Sequence, residues 1–109
     1  MKKYCLALDL IDNSELIAEY EKYHQNVWPE IRQSILDSGI TNMEIYRVQN
    51  RLIMIIEADE NFSFEAKNEA DKNNAKVQEW EELMWKFQQQ LPKSKTGEKW
   101  KLMDKIFSL

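Results

Sequence analysis

The chain has 109 residues, of which 31% are charged and 43% hydrophobic, with only two glycines and two prolines. This composition is typical of one globular domain spanning residues 1–109, and it excludes a disordered or low-complexity chain. Nineteen acidic against fifteen basic residues give a net charge of −4, the wrong sign for a nucleic-acid partner. A single cysteine, Cys5, excludes an internal disulfide and any CxxC motif. No apolar run is long enough to span a membrane and the first residues do not form a signal peptide, so we expect a cytoplasmic protein without a membrane partner.

The first half of the chain predicts a strand followed by two helices. Lys3–Leu10 alternates between apolar and other side chains, as a strand does. The segment Asp12–Glu15 has the spacing of a capping box, and apolar residues then recur at helical intervals as far as His24. Pro29 interrupts that pattern, which indicates a short joint and a second helix with Pro29 in its first turn, closed by Ser38-Gly39.

The second half predicts a hairpin, two more helices and a last strand. The expected ranges are Met43–Val48 and Leu52–Ala58 for the hairpin, Phe62–Asp71 and Ala75–Leu91 for the helices, and Lys99–Phe107 for the last strand. Asn50 suits the tight turn between the hairpin strands. The run Leu52–Ile56 is apolar throughout, which indicates a central strand covered on both faces. Pro92 ends the longer helix.

The order strand, helix, strand, strand, helix, strand predicts an α+β fold with the ferredoxin-like βαββαβ arrangement. In that arrangement an antiparallel four-stranded sheet carries its helices on one face. The other face is left uncovered in a single chain, and an open apolar sheet face usually finds a partner. We therefore expect a homodimer in which two sheets pair face to face as a dimeric α/β barrel.

His24 is the only histidine and the only side chain whose ordinary pKa lies between pH 5 and 8. It follows Tyr20 by four residues, so both project from one face of the predicted helix. At a helix C-terminus the macrodipole favours the protonated imidazole, and a histidine that titrates near neutral pH can act as a general acid or base. The alternative is a partly buried histidine with one backbone partner, since a lone histidine is weak evidence for catalysis.

Four tryptophans are more than a core of this size needs, and they are Trp28, Trp80, Trp85 and Trp100. Aromatic faces bind the C–H surfaces of sugars and other flat ligands. Packing is the alternative for each of them, most clearly for Trp80, which lies in the apolar stripe of its helix.

Three carboxylates, Glu44, Glu57 and Asp104, fall within predicted strands, where a side chain faces either solvent or a pocket. Glu57 ends the most apolar strand and is the best pocket candidate, where it would bind a hydroxyl. Glu81 adjoins Trp80 but belongs to a charged, solvated helix face. One histidine and one cysteine form no metal-ligand set, and no phosphate loop or dinucleotide fingerprint is present, so we expect no metal or nucleotide cofactor.

The segment Glu19–Glu30, EYEKYHQNVWPE, resembles the Y-x-x-x-H-x-x-x-W-P-E signature of the L-rhamnose mutarotase family. The likeness covers nearly the whole chain and continues through Gly39–Asn42, Ile45-Tyr46, Leu52–Glu57 and Gln78–Trp80. Members of that family are small dimeric proteins with a ferredoxin-like α/β-barrel fold, which interconvert the α and β anomers of a 6-deoxy-hexose and need no cofactor. The resemblance implies the same fold, activity and monosaccharide substrate for this chain.

The resemblance also implies roles for individual residues. His24 matches the catalytic proton donor of the family, Tyr20 a sugar-contacting tyrosine, and Trp80 the first of two tryptophans that border the sugar. Glu81 stands where the second tryptophan would be, and Met43 replaces a sugar-contacting tyrosine on the second strand. Both departures affect substrate contacts, and some relatives with the Trp-Glu pair are described as acting on L-fucose. The sugar therefore stays open between L-rhamnose and L-fucose.

Opening a pyranose needs a proton delivered to the ring oxygen and one removed from the anomeric hydroxyl, and one acid/base group can serve both directions. Tyr20 would orient that proton, while Trp80 and Trp28 give the sugar an apolar wall. Two other interpretations stay open at this point. One is a non-catalytic small-molecule binding or interaction module on the same dimeric sheet, and the other is an oxygen-using or haem enzyme with His24 as an axial ligand.

Overall fold

The elements of the protein follow the hydrophobic pattern closely over the first two-thirds of the chain, as a computed structural model of all 109 residues shows. In chain order they are β1 (Lys2–Leu10), α1 (Ser14–His24), α2 (Pro29–Asp37), β2 (Ile40–Val48), β3 (Arg51–Ala58), α3 (Phe64–Lys72), α4 (Ala75–Trp85), β4 (Gln88–Gln89) and β5 (Lys101–Leu102). None of the four helices has both the length and the apolar composition needed to cross a membrane.

The five strands form one antiparallel sheet in the order β2-β3-β1-β4, with β5 also paired to β1. Because β3 occupies one edge of β1 along nearly its whole length, β4 and β5 share the other edge. β4 pairs with Asp9 and Leu10, and β5 pairs with Leu6 and Ala7. The α+β class and the ferredoxin-like strand order are confirmed, but two short strands fill the fourth position, where one strand was predicted.

Local sequence accounts for the boundaries of the first two helices. The Asn13 side chain accepts hydrogen bonds from two backbone N–H groups of the first turn at 3.1 and 3.0 Å, so Asn13 caps α1, and not Asp12 as the capping-box spacing predicted. α1 ends at His24 and α2 begins at Pro29, whose missing N–H is tolerated at that position. Gly39 follows α2 with a φ of 100°, and a Cβ there would lie 2.8 Å from a neighbouring carboxylate, so this turn requires glycine.

The last third of the chain departs from the prediction. α4 ends at Trp85 and not at Leu91, because the chain leaves the helix to pair Gln88–Gln89 with the end of β1. Pro92 therefore lies beyond the helix and does not end it. The predicted last strand pairs only over Lys101–Leu102, after a loop that is held by its own side-chain to backbone hydrogen bonds. Residues 103–109 form no regular secondary structure and are exposed.

Side chains alternate across the sheet, and one face carries the helices. Large apolar side chains of the two central strands point towards the helices and are buried, and they are Leu6, Leu8, Leu10, Leu52 and Ile56. Ile53 and Ile55 point the opposite way and are only partly buried, so the predicted cover on both faces of β3 is wrong for a single chain. We call this side, which also carries Tyr46 and Val48 at 56% and 66% exposure, the open sheet face.

Candidate active site

α1 presents Tyr20 and His24 on the helix-covered side of the sheet, one turn apart. Tyr20 is 3% exposed and His24 is partly buried, and their ring centroids lie 4.4 Å apart. The Asn13 cap fixes where α1 begins and so which residues share its inner face. The predicted common face of the tyrosine and the histidine is confirmed.

The imidazole of His24 is held by a hydrogen bond to its own helix. Nδ1 lies 2.9 Å from the backbone carbonyl oxygen of Tyr20. A carbonyl oxygen can only accept, so Nδ1 carries the proton and donates it, and in the neutral ring Nε2 bears the free lone pair. Nε2 is therefore the atom that can take up or release a proton.

Burial lowers the pKa of His24 below its ordinary value of 6.5, and the hydrogen bond to the Tyr20 carbonyl raises it by a smaller amount. The net direction is opposite to the one that a position at a helix C-terminus favours, because desolvation is the larger cause. At neutral pH the ring is therefore mainly uncharged and can accept a proton. A non-catalytic histidine that is partly buried and bonded to one backbone group would make the same contacts. In that interpretation Nε2 is also free, so these contacts do not distinguish the two.

The Tyr20 hydroxyl has a buried partner that the sequence did not indicate. Gln88 Nε2 donates a hydrogen bond to the Tyr20 oxygen over 3.3 Å. Burial raises the pKa of Tyr20 to about 12, with a smaller lowering by the Gln88 N–H, so the phenol is neutral at pH 7 and can donate its proton. The helical pattern placed Gln88 inside a longer α4, and only its pairing with Leu10 marks it as buried.

Trp80 borders His24, and Trp28 packs against Trp80. The Trp80 ring is 8% exposed, and its centroid lies 5.7 Å from that of His24 and 5.0 Å from that of Trp28, in both cases edge to face. Trp28 is partly buried at the start of α2, with Lys76 Nζ 5.7 Å from its ring centroid. The two packed indole rings form an apolar wall, and the Trp80 ring is the part of it that contacts the imidazole.

Glu81 and Met43, the two departures from the family signature, make other contacts. The Glu81 carboxylate is partly exposed and lies 3.9 Å from Lys99 Nζ, which in turn lies 5.3 Å from the ring centroid of Trp85. The buried apolar residues form two core clusters, one that includes Trp80 and a second that includes Ile56. Met43 packs against the second. Trp100, by contrast, packs against both core clusters, as its packing interpretation predicted.

The predicted strand carboxylates do not join the histidine. Glu57 alternates with the buried Ile56 on β3, so its side chain points to the open sheet face, and its expected place in the pocket is corrected accordingly. Glu44 lies on the same open face, where it accepts a hydrogen bond from the Tyr46 hydroxyl over 3.4 Å. Asp104 belongs to the exposed C-terminal residues.

Two concave surfaces lie away from the imidazole. One cavity of about 270 Å³ separates α2 from α3, and another of about 440 Å³ lies beside β5. Neither is lined by an aromatic residue or by His24, so neither offers an acid/base group with an apolar wall. No three His, Cys, Asp or Glu side chains come together in a way that could hold a metal ion.

Nearly the whole chain matches a known protein family. A family model described as L-rhamnose mutarotase matches residues 3–109. The chain belongs to the L-rhamnose mutarotase family. It is therefore an enzyme of the carbohydrate isomerase class, and the resemblance predicted from Glu19–Glu30 is confirmed. The L-fucose mutarotase of Xanthomonas campestris pv. campestris is 42% identical over 111 residues, covering 100% of this chain and 89% of that protein.

Two solved structures share the fold. The L-rhamnose mutarotase of Formosa agariphila has a TM-score of 0.74 at 18% identity, and the match covers 100% of this chain and 99% of that one. The tetracenomycin F2 cyclase of Streptomyces glaucescens has a TM-score of 0.65 at 15% identity, covering 100% and 97%. At these identities the two likenesses concern the fold alone.

Proposed function

We propose that the chain interconverts the α and β anomers of a 6-deoxy-hexose, L-rhamnose or L-fucose, by acid/base opening and reclosure of the ring at His24. The observation that carries this proposal is the free Nε2 of a neutral imidazole that lies beside the Tyr20 ring and beside Trp80, against which Trp28 packs. The family description supports L-rhamnose, and the name of the Xanthomonas relative supports L-fucose.

In this mechanism His24 carries one proton between two oxygens of the sugar. Nε2 takes the proton of the anomeric hydroxyl O1 as the bond between C1 and O5 breaks and the C1–O1 double bond forms, and the imidazolium then gives that proton to O5. O1 and O5 are both attached to C1, so one nitrogen can reach both. Rotation about the C1–C2 bond presents the other face of the carbonyl, and the reverse steps close the ring as the other anomer.

The neighbours of His24 have separate tasks. The neutral Tyr20 hydroxyl donates a hydrogen bond to the sugar oxygen on which negative charge develops. Trp80 and Trp28 offer apolar surface to the sugar C–H groups and to the methyl group of a 6-deoxy sugar. The uncatalysed reaction already occurs, and proton transfer contributes roughly 10²–10⁴-fold beyond it, so the proposed reaction needs no cofactor.

Saturation-transfer NMR with L-rhamnose, L-fucose and D-glucose tests the proposal. We expect the protein to accelerate exchange between the anomeric protons of one or both 6-deoxy sugars, with a smaller effect on D-glucose, whose C6 hydroxyl would lose hydrogen bonds against an apolar wall. Affinity without faster exchange of any sugar would support the binding module instead. Visible absorption by the purified protein would support the haem enzyme.

We further propose that two copies pair through the open sheet face to form the dimeric α/β barrel. Apolar side chains lie exposed or only partly buried on that face, and a chain of this size has little apolar surface to leave in water. Sedimentation at micromolar concentration should give about twice the chain mass of 13.1 kDa.

Charge substitutions locate the interface. Val48→Lys, on the open sheet face, should shift the protein towards the monomer because the new charge would be buried between two sheets. Leu36→Lys is the matched control, since Leu36 is similarly exposed but lies on α2, on the other side of the sheet. A wild-type monomer, or equal effects of the two substitutions, would contradict this dimer.

A further inference from the structure

Gln88 is one of only two polar or charged residues among the buried side chains. The other, Asp9, is paired with Arg51 at 2.8 Å, whereas Gln88 is 8% exposed and has no charged partner. Strand register explains its position: Gln88 pairs with Leu10, whose side chain points towards the helices, so the glutamine side chain enters the same space. Burying an amide among apolar groups is unfavourable unless a hydrogen bond compensates.

Tyr20 supplies that hydrogen bond. Gln88 Nε2 donates to the Tyr20 hydroxyl oxygen over 3.3 Å, and both side chains are more than nine-tenths buried. The bond occupies a lone pair of the phenolic oxygen, so the hydroxyl proton has to point away from Gln88. Because the Tyr20 and His24 rings lie 4.4 Å apart, that proton is available to an oxygen held beside the imidazole.

We propose that Gln88 is a positioning residue, whose side-chain N–H fixes the Tyr20 hydroxyl as a hydrogen-bond donor to the sugar oxygen that exchanges its proton with His24. This inference rests on the proposed mutarotase function. Gln88 acts through Tyr20 and does not touch the sugar, so its effect should vanish when the Tyr20 hydroxyl is absent. A purely structural role predicts a loss whether or not the hydroxyl is present.

The kinetic test is a double-mutant cycle of Gln88→Met and Tyr20→Phe, measured by saturation-transfer NMR. Methionine keeps nearly the size of glutamine and removes the donor. Gln88→Met should lower kcat about tenfold and change KM by less than about twofold, as expected when a hydrogen bond made mainly in the transition state is lost. In the Tyr20→Phe background the same change should lower kcat no further. Gln89→Met is the matched control and should leave kcat unchanged, because Gln89 is the exposed neighbour in β4.

A full additional loss in the double mutant, or an unchanged kcat in Gln88→Met, would overturn the inference. If Gln88→Met does not fold, Gln88→Asn replaces it in the cycle. The shorter amide keeps the polarity of glutamine but withdraws the N–H from Tyr20, so it should produce the same loss.

A spectroscopic measurement separates this inference from the proposed function. In protein labelled at the Cζ atoms of tyrosine with ¹³C, Gln88→Met should move the Tyr20 resonance, and Gln89→Met should not. A wild-type protein that accelerates the exchange of no sugar would refute the proposed function and leave this readout intact. A Tyr20 resonance that does not move in Gln88→Met would overturn the role of Gln88 whatever the exchange rates are.

Discussion

Replacing His24 with alanine should slow anomer exchange by about 100-fold or more while the protein keeps its fold. His24 is the only histidine, and its Nδ1 is bonded to the Tyr20 carbonyl at 2.9 Å, which leaves Nε2 to move the proton. Tyr20 cannot take over as a base near pH 7, because burial raises its pKa to about 12. Saturation-transfer NMR at equal concentrations of variant and wild type gives the ratio of rates, and circular dichroism checks the fold.

His24→Gln is the matched variant for this experiment. A glutamine N–H can still donate to a nearby carbonyl, but an amide does not titrate, so this variant should be as slow as His24→Ala. In the wild type, burial lowers the pKa of His24 below 6.5, so the neutral base predominates at pH 7 and the midpoint of the fall in rate with pH should lie below 6.5. Near-normal exchange in a folded His24→Ala protein, or a fall in rate whose midpoint lies above pH 6.5, would contradict the mechanism.

The part of the site that lies on α1 could be predicted from sequence because local rules decide it. Pro29 cannot lie inside a helix, so the division between α1 and α2 is visible in the residues alone. Within α1 the helical period places Tyr20 and His24 on one face, and the structure brings their rings together. Trp28 follows from the same segment, since it directly precedes the proline at the start of α2, and it packs against Trp80.

The end of α4 and the position of Gln88 could not be predicted from the sequence, because strand pairing determines both. The apolar stripe of α4 continues at helical spacing as far as Phe87, so the pattern favours a helix up to Leu91. α4 nevertheless ends at Trp85, because the backbone groups at the end of β1 need hydrogen-bond partners and the next residues supply them. Gln88 is buried because of that pairing, so the local sequence pattern could not predict its burial.

The misplacement of Glu57 has a different cause. Neighbouring residues of a strand point to opposite faces, so placing Glu57 requires knowing which face of β3 the helices cover. The run Leu52–Ile56 is apolar at every position, so its sequence does not alternate and does not indicate which residues face the helices. Only the contacts of Ile56 with the core under the helices reveal that Glu57 points the other way.

Trp80→Ala should lower the free energy of unfolding by about 3–5 kcal/mol, the usual effect of removing a large buried aromatic side chain. Its ring packs edge to face against His24 and Trp28, at centroid distances of 5.7 and 5.0 Å. A domain is stable by only about 5–15 kcal/mol in total, so the urea midpoint should fall far below that of the wild type. Circular dichroism at one fixed protein concentration measures this, because the stability of the proposed dimer would depend on concentration.

Trp85→Ala is the matched control, since Trp85 lies on the same helix but is 37% exposed, and its loss should cost under about 1 kcal/mol. The two variants should also differ at the imidazole. Removing the Trp80 ring admits water to His24 and should raise its pKa back towards 6.5, whereas Trp85→Ala should leave that pKa unchanged. A chain with one histidine gives a single imidazole signal in an NMR titration, so the comparison is direct. Equal unfolding losses, or an unmoved His24 pKa in folded Trp80→Ala protein, would contradict the role of Trp80 as the wall that keeps water from His24.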